Sequence, residues 1–289
     1  MVEVSMRDIM IYTEKNQFMP GEEVSGHVVV STDKSFTCNR IILKLRGKEY
    51  THYQAGKVHV SETHQIMDED LTIWEGGDIH SGDTKFEFSF RLPEDIPPTH
   101  DSVFGAIDYS VEAVVEVDRA LDPKSKVVLN VDTAPPSYIP EELDRLPIRQ
   151  EEEHLHAEIP TDIIRPKKGL EVRFLAKERS RIKGVRLDIV MHNDVVCQGR
   201  NLDSDTRVSE KHIPITYNDF DRWIEETIHE DWSSICPFEG KLIRSSLMLK
   251  VVLEVGLSFD PCIMFPLRLS GEGEKEDDIF DSIELDLGW

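Results

Sequence analysis

Three basic side chains recur at every second position of one predicted strand, a spacing suited to binding an anion. Lys44, Arg46 and Lys48 alternate with Leu43 and Leu45 along this stretch. Because successive side chains of a strand point to opposite faces, the three cations face solvent together if the leucines face the core. They are a candidate site for an anion or a cargo protein. The alternative is a charged strand that prevents sheets from associating edge to edge.

A second candidate is the sequence Pro135-Pro136-Ser137-Tyr138. Consecutive prolines hold the backbone in the polyproline II conformation, which docks in the aromatic groove of a WW domain at low entropic cost. Pro135, Pro136 and Tyr138 are the residues that would contact such a domain. Prolines also suit a stiff linker, and short motifs often match by chance, so the linker interpretation is favoured.

A third candidate lies close to the C-terminus, where Ile283, Leu285 and Leu287 alternate with Glu284 and Asp286. Such an alternation favours a segment that adds as a strand to a sheet edge, either of this chain or of a partner. Ile283, Leu285 and Asp286 are the predicted contact residues. The alternative is an acidic tail that only keeps the protein soluble.

Metal binding and catalysis are weakly supported. His154 and His156 share one strand face and can approach one metal ion, but no second ligand pair is apparent, and a solvated segment is favoured. The sequence contains no GxSxG, HExxH or P-loop motif, and no GxGxxG motif in context. We therefore expect no metal, no other cofactor and no enzymatic activity.

The composition limits the classes of partner that the protein is expected to bind. Hydrophobic residues make up 39% of the 289 residues and charged residues 31%, and the net charge is −23. A surface this acidic repels phosphates, so nucleic acid is not an expected partner. The N-terminal sequence lacks a signal-peptide pattern, no apolar stretch approaches membrane-spanning length, and the four cysteines are scattered. We expect a cytoplasmic protein with free thiols, peripheral at membranes when it binds there.

The elements that carry these candidates are predicted to be strands. Phe18 to Tyr50 forms a hairpin, Phe86, Phe88 and Phe90 alternate with polar residues, and the longest strand begins at Gly105. About seven or eight strands precede the linker, a number typical of a β-sandwich. The organisation predicted is a sandwich over 1–133, a Pro- and acid-rich linker over 134–153, a second sandwich over 154–270 and an acidic flexible tail over 271–289.

One helix is expected in the second domain, over Asp219–Trp232. Asn218 or Asp219 can cap it, and apolar residues recur at steps of three and four. This stripe consists of Phe220, Trp223, Ile224 and Ile228. We interpret it as a core-facing stripe, because its acidic opposite face disfavours contact with anionic lipid.

Four motifs in order resemble the strands of the arrestin fold. They are Pro20-Gly21-Glu22 followed by the strand at Val24, Ile41-x-Leu43-x-Leu45-x-Gly47, Phe86-x-Phe88-x-Phe90-x-Leu92-Pro93, and Gly105-x-Ile107-x-Tyr109-x-Val111-x-Ala113. The resemblance is specific over 18–117, whereas the second half fits an arrestin C-domain only in outline. It implies an all-β protein with two arrestin-like, immunoglobulin-type sandwiches joined by a hinge.

The resemblance also implies a function. Arrestin-like proteins are non-enzymatic adaptors that bind cytoplasmic regions of membrane proteins, or trafficking and ubiquitin machinery. Arrestins place phosphate-binding basic residues on N-domain strands, which favours an anion-binding role for Lys44, Arg46 and Lys48. The α-arrestins recruit ubiquitin ligases through Pro-Pro-x-Tyr motifs. Residues 283–286 are similar to clathrin-binding boxes without their leading leucine. The alternatives are a retromer-type sorting subunit and a prokaryotic regulator similar to sporulation-control proteins.

Overall fold

The structure is a computed structural model, and its elements are strands joined by turns. No α-helix occurs in the part of the chain that it describes, and the short 3-10 turns are Glu141–Leu143 and Tyr217–Asp219. The described residues are 7–118, 121–133, 136–144, 147–165, 168–177, 182–232, 235, 237–256 and 260–271.

The strands fall into two groups. The first group is β1 (Arg7–Thr13), β2 (Gln17–Phe18), β3 (Glu23–Thr32), β4 (Phe36–Cys38), β5 (Arg40–Ala55), β6 (Val58–Trp74), β7 (Gly77–Ile79), β8 (Gly82–Arg91), β9 (His100–Ser102), β10 (Gly105–Glu116) and β11 (Lys124–Val131). The second group is β12 (Ile148–Glu152), β13 (Leu155–Ile159), β14 (Ile163–Ile164), β15 (Leu170–Ala176), β16 (Ile182–Cys197), β17 (Arg200–Pro214), β18 (Trp223–Ile228), β19 (Phe238–Glu239), β20 (Ile243–Val255) and β21 (Cys262–Leu269).

Each group forms two principal sheets, as expected for a β-sandwich. In the first group, one sheet has the order β1-β3-β8 and the other β2-β11-β10-β5-β6, with β9 beside β10 and a small β4-β7 pair. In the second group, the orders are β12-β13-β15-β18 and β14-β21-β20-β16-β17, with β19 beside β20. The all-β class and the two groups of sheets agree with the sequence prediction.

Period-two patterning explains the first core. On β10, Ile107, Tyr109 and Val111 are fully buried, and the Tyr109 hydroxyl donates to the carbonyl oxygen of Pro97 at 2.7 Å. The Tyr109 ring packs directly on the backbone of Gly47, where a Cβ atom would lie 2.6 Å from the ring. Glycine is therefore required at this position of β5.

The predicted helix over Asp219–Trp232 is wrong, because residues Trp223–Ile228 form strand β18. Asp221 adopts a left-handed φ of 58°, which interrupts any helix at its first turn. β18 then pairs antiparallel with β15, with Ile224 opposite Phe174 and Ile228 opposite Leu170. Apolar residues spaced three and four positions apart can also occur in a strand whose side chains are buried to different degrees. The pairing with β15 is a non-local contact, and it overrides the structure that the local spacing favours.

Contacts divide the chain into two compact units. Within the described residues, the first unit contains 7–133, 192–206 and 237–245, and the second contains 136–191, 207–235 and 246–271. Val195, Leu242 and Ile243 are buried in the core of the first unit although they come from the second half of the sequence. The range 134–153, predicted to be a linker, includes β12, which pairs with β13.

Candidate partner-binding surfaces

The basic side chains of β5 lie on its outward face. Lys44 and Arg46 are half-buried and Lys48 is exposed, whereas Leu43 and Leu45 are buried. Neighbouring strands supply a row of alternating charge across the sheet. Residues directly opposite one another in this row are Lys126, Glu112, Lys44 and Asp70, in the strand order β11, β10, β5 and β6.

Arg46 is the most constrained of the three cations. Its guanidinium forms ion pairs with Asp68 at 3.0 Å and Asp70 at 2.8 Å and also donates to the carbonyl oxygen of Glu69. An anion that binds this surface therefore competes with carboxylates already in place. Anion binding by Lys44, Arg46 and Lys48 stays a prediction.

The Pro-Pro-x-Tyr segment lies partly within the described residues, because Pro135 falls outside them. Pro136 is exposed, and the Tyr138 side chain is 50% exposed. The backbone on either side of Tyr138 is tethered, since the N–H of Gly271 donates to the carbonyl oxygen of Ser137 at 3.0 Å and the N–H of Ile139 donates to Ser270 Oγ at 2.9 Å. The tail residues Ile283, Leu285 and Asp286 lie outside the described residues.

The histidine pair of the second unit has carboxylate neighbours. His156 Nδ1 lies 3.7 Å from Glu151, and His154 Nε2 lies 3.6 Å from Glu153. Within the described ranges, no three His, Cys, Asp or Glu side chains are grouped in a way that could hold a metal ion. The described residues likewise include no helix long and apolar enough to span a membrane.

Cys38 and Cys197 are free thiols. Cys38 is buried, and this burial raises the pKa of its thiol to about 11. A thiol with so high a pKa is not ionised near neutral pH and is a poor nucleophile. Cys38 therefore belongs to the packed core.

The outer face of sheet β12-β13-β15-β18 carries a second row of alternating charge, which the sequence analysis did not identify. Residues directly opposite one another in it are Arg149, Glu158, Arg173 and Glu225. Two guanidinium groups lie over the Trp223 ring, that of Arg149 at 5.2 Å and that of Arg173 at 5.0 Å from its centroid. The helix prediction placed Trp223 in the core, and for that reason this charged outer face was not predicted.

Glu49 is another residue that the sequence analysis did not identify. It is 1% exposed, and its carboxylate accepts hydrogen bonds from the backbone N–H groups of Lys241, at 2.8 Å, and Leu242. The signal was available, since the alternation that turns Lys48 outward turns Glu49 inward. What this buried carboxylate binds could not be read from the sequence.

The two groups of paired sheets are consistent with two β-sandwich domains. Residues 8–133 match the family described as arrestin (or S-antigen), N-terminal domain. This match covers less than half of the chain, and it confirms the resemblance drawn from the four strand motifs.

Part of the chain is also similar to a curated protein that is named for its arrestin domain. The chain is 25% identical over 133 residues to arrestin domain-containing protein 17 of Caenorhabditis elegans. This alignment covers 40% of the present chain and 31% of the relative, so the match spans about a third of the relative's length.

Proposed function

We propose that the protein is a non-enzymatic adaptor that binds cytoplasmic regions of membrane proteins or components of the trafficking and ubiquitin machinery. The observation that carries this proposal is the match of residues 8–133 to the arrestin N-terminal domain family. Binding is proposed to use the outer faces and edges of the sandwich sheets, with the two domains moving about a hinge. The protein would act in the cytoplasm and at membrane surfaces.

The exposed Pro136 and Tyr138 support a link to ubiquitin machinery, because Pro-Pro-x-Tyr segments are ligands for WW domains. The acidic tail is proposed to compete for a partner-binding surface through Ile283, Leu285 and Asp286. A retromer-type sorting subunit remains the second adaptor candidate. A prokaryotic regulator similar to sporulation-control proteins is the candidate without a cargo role.

The test is a pull-down with immobilised cytoplasmic tails of membrane proteins and with isolated WW domains. The adaptor proposal expects at least one specific partner with micromolar affinity or better. Absence of any specific partner at micromolar concentration contradicts it. Deletion of 271–289 should raise the affinity for that partner, and unchanged affinity refutes a competing role for the tail.

A further inference from the structure

Buried polar atoms that lack a hydrogen-bond partner are concentrated in one part of the first unit. Among the residues that the structure describes, seven buried side-chain nitrogen or oxygen atoms have no partner in the chain. Five of them belong to the first unit, namely His52 Nδ1, His100 Nε2, Asn193 Oδ1, Ser204 Oγ and Ser245 Oγ. Because folded proteins satisfy about 90% or more of their buried polar groups, we expect a bound partner here.

Asn193 lies at the centre of this group. It is 0% exposed, and its Nδ2 donates to Thr206 Oγ1 on β17 at 3.4 Å, which is long for a hydrogen bond. Its Oδ1 accepts no hydrogen bond from any of the described residues. Ser204 lies two positions before Thr206 and therefore on the same face of β17. Asn193 and Ser204 thus line one face of the sheet, each with unused hydrogen-bonding capacity.

The ring of His100, on β9, is a neighbour of the Asn193 side chain. Burial lowers the pKa of His100, whereas the polar contact with Asn193 raises it. Within the described part of the chain, however, neither His100 Nε2 nor Asn193 Oδ1 has a partner at normal hydrogen-bond geometry. The two side chains therefore approach each other without satisfying these two atoms.

Ser245 belongs to the same group through Phe238. These two residues are directly opposite each other on β19 and β20, so their side chains share a face. The Phe238 ring contacts the His100 ring edge-on, with 4.8 Å between the ring centroids. Strand β20 is also the neighbour of β16 in the sheet, and the Val196 N–H donates to the carbonyl oxygen of Leu242 at 2.8 Å. Ser245 is 2% exposed, so bulk solvent does not reach its hydroxyl.

The chemistry of these atoms favours a small neutral ligand. A serine hydroxyl can donate or accept, the Asn193 carbonyl oxygen accepts, and an imidazole nitrogen does either according to its tautomer. The lowered pKa of His100 keeps its ring neutral at pH 7. A water molecule both donates and accepts, and a buried water typically makes about three hydrogen bonds to polar groups of this kind.

We propose that this polar cluster is a binding site for ordered internal water. The cluster consists of His100, Asn193, Ser204 and Ser245. Its water bridges β9 to the segments 192–206 and 237–245, so the packing of both segments in the first unit depends on bound solvent as well as on the protein's own contacts. The proposal goes beyond the adaptor function and does not depend on it.

The experiment compares the full chain with its Ser245→Ala variant by two measurements. Magnetic relaxation dispersion of water nuclei detects water molecules that stay bound inside the protein, and urea denaturation gives the ratio of folded to unfolded protein. Loss of a water-mediated hydrogen bond should reduce the dispersion amplitude and lower this ratio about fivefold. If the Ser245 hydroxyl has no partner at all, its removal should instead raise the ratio, because a buried unpaired polar group is destabilising.

Ser102→Ala is the matched control, because Ser102 donates directly to the carbonyl oxygen of Gly105 at 2.8 Å. It should lower the folded-to-unfolded ratio by a similar factor and leave the dispersion amplitude unchanged. A ratio that is unchanged or raised in Ser245→Ala overturns the proposal, and so does a dispersion amplitude equal to that of the unchanged protein. If Ser245→Ala does not fold, Ser204→Ala provides the same comparison with the same expected results.

Discussion

The carboxylate of Glu49 accepts a hydrogen bond from the backbone N–H of Leu242, a residue 193 positions further along the chain. Glu49 is almost fully buried, and the N–H of Lys241 is its second donor. Gly240 completes the contact, because a Cβ atom there would lie 2.3 Å from a Glu49 oxygen. One side chain of β5 thus fixes segment 237–245 within the first unit.

Replacing Glu49 with glutamine should lower the free energy of unfolding by about 1–3 kcal/mol. Each carboxylate oxygen of Glu49 accepts a hydrogen bond from one backbone N–H group. In glutamine, an NH2 group replaces one of these oxygens and cannot accept the hydrogen bond. Urea denaturation measures the change. Glu75→Gln, at an exposed site, should stay within about 0.5 kcal/mol of the unchanged protein. Equal stability of Glu49→Gln and Glu75→Gln contradicts the assigned role.

These residues show which parts of the structure can be predicted from the sequence. Alternation correctly placed Lys44, Arg46 and Lys48 outward, and by the same logic it places Glu49 inward. It could not predict the partner of Glu49, because a contact across 193 residues leaves no local pattern. It failed at Trp223 for a related reason, since only the register with β15 decides that residues 223–228 form a strand.

The stability of the second unit should depend on pH through His212. Hydrogen bonds to Glu210 and then Glu254 raise the pKa of His212, while His212 is the main cause that lowers the pKa of Glu210. Arg207 and Arg186 also face Glu210. A raised histidine pKa stabilises the fold fully below its unfolded pKa of about 6.5, and this contribution is lost as pH rises through the folded pKa.

The lowered pKa of Glu210 limits this effect on the acid side, because its contribution is lost as pH falls below the unfolded value of about 4.5. The Tm deficit of His212→Asn relative to the unchanged protein should therefore be larger at pH 5.5 than at pH 8. The comparison variant His80→Asn, at another exposed histidine, should show no such difference. A deficit that is the same at both values of pH argues against the His212 contacts.

Charge reversal at Lys44, Arg46 and Lys48 tests whether this row binds anions. Changing all three to glutamate should abolish binding of a phosphorylated peptide, whereas an unphosphorylated peptide should behave alike with both proteins. Neutralising the competing carboxylates in Asp68→Asn/Asp70→Asn should strengthen binding by about threefold to tenfold, because Arg46 is then released from its ion pairs. Binding retained by the triple variant dismisses the site.

Tyr138 provides the sharpest test of WW-domain binding. Because the ring is 50% exposed and the preceding Pro136 is also exposed, Tyr138→Ala should weaken binding of an isolated WW domain by at least about tenfold. Tyr217→Ala is the matched control, since Tyr217 is 77% exposed and is not part of a Pro-Pro-x-Tyr sequence. Isothermal titration calorimetry measures both affinities.

The tether around Tyr138 makes this prediction more specific. The Ser270 hydroxyl accepts the N–H of Ile139, the residue directly after Tyr138, and so holds the segment against the second unit. If a WW domain must release this segment to surround its polyproline turn, Ser270→Ala should bind the domain more tightly than the unchanged protein. A WW domain that binds neither protein, or that binds Tyr138→Ala and Tyr217→Ala equally well, shows that the prolines serve only as a stiff connection.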